Sequence, residues 1–193
     1  MSALSPESSA TPQEARSRQL GLYDTWWTLT AAAIAACLCL SACTWISLHL
    51  RVDADLHAVA LFVHLASLVL GFGAVLVADY YALLYLMGRC TFHDALNSAG
   101  RLHFPIWAGL AGLVASGVML HPNLDSTPTR VKLGLVLLLT LNGLQAGLLN
   151  RRMTQQGTAA LTPRLISWGA STALISQVCW WGAVIIGFRN SQR

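Results

Sequence analysis

The chain has 193 residues and a formal net charge of +4, with 10% charged and 55% hydrophobic side chains. Ordinary soluble proteins carry roughly 25% charged residues, and 12 basic plus 8 acidic side chains are too few to clothe a soluble globule of this size. Disordered, collagen-like and coiled-coil classes fail on the same composition. The fold class expected is an all-α integral membrane bundle. Its basic excess reads as loop charge beside anionic headgroups, with no nucleic-acid partner.

Residues 1–22 lack apolar periodicity and read as a flexible N-terminal tail. Stretches free of Asp, Glu, Lys and Arg then run Thr25–Leu50, Leu56–Ala78, Leu102–Leu124, Leu133–Asn150 and Leu165–Phe188. A hydrocarbon core roughly 30 Å thick takes about 20 helical residues. Five spans follow, at about 26–49, 56–87, 102–121, 131–150 and 164–188, within one domain over 23–190. The segments Gly88–Arg101, Pro122–Arg130 and Arg151–Pro163 read as short loops. Leu40-Ser41-Ala42-Cys43 resembles a lipoprotein cleavage box, but the apolar run continues past the cysteine, so a retained first helix is expected. Arg16, Arg18, Arg89, Arg101, Arg151, Arg152 and Arg164 fall on one side of the membrane. Arg51, Arg130, Lys132, Arg189 and Arg193 fall on the other. The positive-inside rule then predicts a cytoplasmic N-terminus in a bacterial inner membrane.

The five cysteines show no metal or disulfide pattern, because Cys37 and Cys39 point nearly opposite ways on a helix. The histidines carry more. His49, His57 and His121, together with Lys132, fall near the expected outer rim, and His64 lies two turns deeper on the face of His57. An imidazole inside a bilayer is costly unless paired or ligating, so His64 is the leading functional candidate. The competing reading is a structural histidine bonded to a neighbouring helix through Ser, Asn or Gln. His93 and His103 fall on the inner side, with Asp79 near the inner interface, where it is expected to pair with Arg89 or Arg101. Asn142 and Gln145 share a face of the fourth span, and interhelical hydrogen bonding is their default role. Trp26, Trp27, Trp180 and Trp181 read as interfacial or packing aromatics.

From His57 onward the chain resembles the four-helix membrane proteins around HemJ-type protoporphyrinogen oxidase and the CopD-type copper-resistance proteins, with one added N-terminal helix. The resemblance lies in His64-Leu65-Ala66-Ser67 through Gly71-Phe72-Gly73, in Arg101-Leu102-His103-Phe104-Pro105-Ile106-Trp107, in Val131-Lys132-Leu133-Gly134, and in Thr162-Pro163-Arg164-Leu165. It implies that His64 and Lys132 are the functional pair and that haem b is the cofactor. The chain departs from the family in having Gly71-Phe72 for an aromatic Trp-Phe, and Asn142 or Gln145 where a histidine often stands.

The expectation is therefore a b-type haem protein for redox or electron transfer, with a quinone or a porphyrin as candidate substrate. As an enzyme it would be a membrane oxidoreductase. His64 would be one axial ligand, with His121 or His49 opposite. Gly71 and Gly73 would flank the macrocycle, and Lys132 or Arg130 would face its propionates. The alternatives are a copper or other metal-handling permease using His49, His57 and His121 as ligands, or a non-catalytic accessory subunit. Its surroundings would be the lipid bilayer and either a homo-oligomer or a larger membrane complex.

Overall fold

The computed structural model describes residues 26–156 and 163–192. The tail expected over 1–22 lies outside the described residues, as does part of the expected Arg151–Pro163 loop. The described residues form five helices and no strand: α1 Trp26–His49, α2 Ala54–Leu86, α3 Phe92–Met119, α4 Thr127–Gln156 and α5 Pro163–Ser191. All five are long and apolar enough to cross a bilayer. The exposed surface carries Phe62, Val69, Leu86 and Phe104, each more than 70% accessible. Such a surface is a liability in water and the ordinary lipid-facing exterior of a membrane protein.

The helices outrun the charge-free stretches, because a helix continues beyond the hydrocarbon wherever its ends are capped. Thr91 and Asp94 form a reciprocal capping box, with the Asp94 amide donating to Thr91 Oγ1 and the Thr91 amide to Asp94 Oδ2, both at 3.2 Å. The segment 92–101, expected as loop, is therefore the first part of α3. Asp53 caps α2 by accepting from the Leu56 amide at 2.8 Å. At its other end α2 closes through Gly88, whose φ of +69° suits the left-handed position. The Gly88 amide bonds the Tyr85 carbonyl and the Arg89 amide bonds that of Leu84, the paired pattern of a Schellman motif.

Two antiparallel hairpins make the bundle. The closest is α2 against α3, and α4 pairs with α5; α1 lies outside, against α3 and α4. The α2–α3 seam is built from small residues. A Cβ on Gly109 would strike the Gly71 backbone and the Ser67 carbonyl, and one on Gly112 would strike the Ser67 side chain. This is how membrane helices gain contact when burial from water no longer drives them together. Between the hairpins sits a core of Val75, Leu110, Leu139, Cys179 and Trp180, the last 1% exposed. Trp180 stacks on Phe72 with ring centroids 5.7 Å apart, and Trp181 meets the same phenyl edge-on at 5.0 Å. Side chains rather than close backbones therefore hold α2 to α5. Among the described side chains of α1, Ser47 is the buried one.

Candidate functional site

His64 stands ten residues into α2, half-buried against α3. Its Nδ1 lies 2.9 Å from Ser116 Oγ. The Ser116 hydroxyl has one proton and donates it to the Gly112 carbonyl at 2.5 Å. It must therefore accept from His64, which fixes the proton on Nδ1 and leaves Nε2 as a lone pair. Among the described residues Nε2 takes no hydrogen bond. The ring lies over Gly117, where an added Cβ would sit 3.7 Å from Cε1. A bond to a serine on the next helix is what a purely structural histidine would also make. The free Nε2 goes beyond that, and so does the charge beside it, because the Lys132 ammonium of α4 lies within electrostatic reach of the ring. The amine rests over α5, where a Cβ on Gly187 would sit 3.9 Å from Nζ.

The rim histidines do not join this pair. His49 is exposed, stacks on Trp45 with centroids 4.4 Å apart, and holds the Trp45 carbonyl through Nδ1 at 2.9 Å. His57 is exposed. His121 adopts a φ of +46° and ties its Nε2 to the Leu50 carbonyl at 2.8 Å, joining the end of α3 to the end of α1. Arg130 is exposed, with a guanidinium nitrogen on the Asp125 carbonyl at 3.2 Å. Among the described residues no three His, Cys, Asp or Glu side chains gather into a set able to hold a metal ion.

A b-type haem needs an imidazole nitrogen, a flat apolar slot and cations for its propionates. His64 Nε2 meets the first need and Lys132 the third. The slot is not at Gly71: a Cβ there would lie 3.0 Å from Trp180 Cη2 and 3.2 Å from the Gly109 Cα, so protein already fills the space. Gly73 meets nothing within 4 Å and stands clear of that seam. His103 is thirteen residues before Ser116 on α3, roughly 20 Å along the axis, too far to share an iron with His64. The donor nitrogen and the counter-charge are thus present, while the α2–α3 seam at Gly71 offers no space for a macrocycle.

A second polar region, unexpected from the sequence, occupies the other half of the bundle. Asp79 accepts from Gln177 Nε2 of α5, in place of the expected Arg89 or Arg101. Asn142 donates to the Thr172 carbonyl at 2.9 Å and accepts from Gln145 at 2.9 Å, the interhelical bonding expected of that pair. Asp79, Gln177, Asn142, His103, Thr172 and Trp180 all line a cavity of about 260 Å³ between the two hairpins. Among the described residues His103 Nε2, Thr172 Oγ1 and Trp180 Nε1 are buried with no hydrogen-bond partner. No single residue signals this region in the sequence, since its members come from four helices. The available hint was the density of Asn, Gln, His and Asp inside apolar spans.

No family model matches the chain, and no significant match to it occurs among curated proteins or solved structures.

Proposed function

We propose that this chain is a redox protein of the bacterial inner membrane that carries a b-type haem on His64. The observation that supports the reading most is the imidazole inside a span, fixed through Nδ1 by Ser116 and left with an unengaged Nε2, with the Lys132 ammonium within electrostatic reach of the ring. A b-type haem held there supplies one-electron exchange. Ser116 orients the ring and sets its tautomer, as hydrogen-bonded partners of ligating histidines do. Lys132 answers a carboxylate close to that ring, where low dielectric strengthens the pairing and limited desolvation keeps it favourable.

The deciding measurement is the absorption spectrum of the full chain purified from haem-replete cells. A Soret band that is lost in His64→Ala and weakened in Lys132→Met, with both variants still inserted, is the expected result. Absence of the band from the wild-type chain overturns the haem reading. A band of full intensity in well-expressed Lys132→Met returns that lysine to the role of an interfacial anchor.

A further inference from the structure

The cavity between the hairpins contains chemistry that the His64 site does not use. We propose that it binds the headgroup of a membrane-soluble para-quinone, in its quinone and quinol forms. The proposal stands independently of the haem reading, because the two sites lie at opposite ends of the Trp180 core.

Three features select the ligand class. Position is the first. Asp79 directly precedes Tyr80 on α2 and His103 is two residues beyond Arg101 on α3, so the void lies near one interface, the level at which a lipid-soluble molecule with a polar ring and an apolar tail presents its ring. The second is the shape of the walls. The indoles of Trp107 and Trp180 both line the void, and its volume of about 260 Å³ suits a single substituted ring rather than a macrocycle or a peptide.

The third is the distribution of hydrogen-bonding groups. His103 Nε2 is buried with no hydrogen-bond partner among the described residues and lies over Gly147, where a Cβ would come within 3.2 Å of it; it donates or accepts according to the tautomer of the ring. Trp180 Nε1 is a donor, and the Thr172 hydroxyl can be either. Across the seam the Asp79 carboxylate, held by Gln177, is an acceptor. Oxygens at opposite edges of one flat ring match this set, as carbonyls toward Trp180 and Thr172, or as hydroxyls toward His103 and Asp79. Each unpaired atom is sealed by its neighbours as the side chains stand, so an occupant that pairs with them must turn those side chains. An unpaired buried polar atom is unfavourable, and three of them on residues that line one void favour an occupant with polar edges, reached by side-chain rotation, over a plain lipid chain.

The test is binding of decyl-ubiquinone to the detergent-solubilised full chain, followed by titration calorimetry. Saturable binding is expected. It should weaken about five- to tenfold in Thr172→Val, which removes one hydrogen bond while keeping the side-chain shape. A similar loss is expected in Trp180→Phe, and no change in His93→Ala, an exposed position outside the cavity. Because Trp180 is a core residue whose replacement can disturb folding, an azido-quinone photolabel on the wild-type chain gives a second answer. Label recovered around His103 on α3 or Thr172 on α5 supports the proposal. Absence of saturable binding overturns it, as do affinity unchanged in Thr172→Val, affinity abolished in His93→Ala, or label confined to other segments.

Discussion

At the scale of single residues, the tautomer of His64 depends on a hydroxyl whose own proton already belongs to the Gly112 carbonyl. Ser116→Ala removes the side-chain acceptor of Nδ1. The expected cost is roughly 0.5–2 kcal/mol in an SDS-unfolding titration, the range for interhelical bonds in membranes and for stranded polar atoms. Ser116→Thr, which keeps the hydroxyl, should recover most of the loss; equal stability of the alanine and wild-type chains would show the bond to be idle. His64 was legible in the sequence because an ionisable ring in an apolar span stands out against its neighbours. Its partner was not, since Ser116 is one small residue among many and lies 52 positions away. His103 and Trp180 were undervalued for a related reason. Each looks interfacial in its own segment, and only the packing of four helices turns both toward one void.

At the scale of the elements, two glycines of similar appearance behave oppositely. Gly109 touches the α2 backbone, whereas Gly73 meets nothing within 4 Å. Gly109→Val should therefore separate α2 from α3 and leave little folded protein, while Gly73→Val should express and melt like the wild-type chain, read as monodisperse yield and apparent Tm. If both are tolerated, the α2–α3 seam is not the organising contact. The spans themselves were readable from the absence of charge, since insertion punishes charge and little else. Their ends were not, because capped helices carry charged turns into the headgroup layer. The Thr91-Phe92-His93-Asp94 start of α3 did carry the Thr-x-x-Asp spacing of a capping box, a signal present in the sequence and outweighed by the nearby charges. Gly71 and Gly73 were assigned to a cofactor slot because a small residue looks the same whether it admits a ligand or a neighbouring backbone.

For the whole molecule, the uneven distribution of arginine and lysine predicts which rim faces the cytoplasm. A membrane-impermeant maleimide on intact cells should label Asn123→Cys in a Cys90→Ala background and should leave native Cys90 unlabelled in the wild-type chain. The reverse pattern would invert the orientation. The lengths of the helices then gain a meaning beyond counting spans. α2 has 33 residues and extends about 50 Å, against roughly 30 Å of hydrocarbon. To hide all of it a helix would have to lean beyond the 40° that such helices reach, so part of α2, with Tyr80, Tyr81 and Tyr85, stands in the headgroup layer. Because α2 is locked to α3 by backbone contact while α2 meets α5 only through side chains, a thinner bilayer that increases the lean must be absorbed at the α2–α5 seam. That seam contains the Asp79–Gln177 bond and one wall of the inner cavity. Shorter acyl chains are thus expected to strain the α2–α5 seam before the α2–α3 seam.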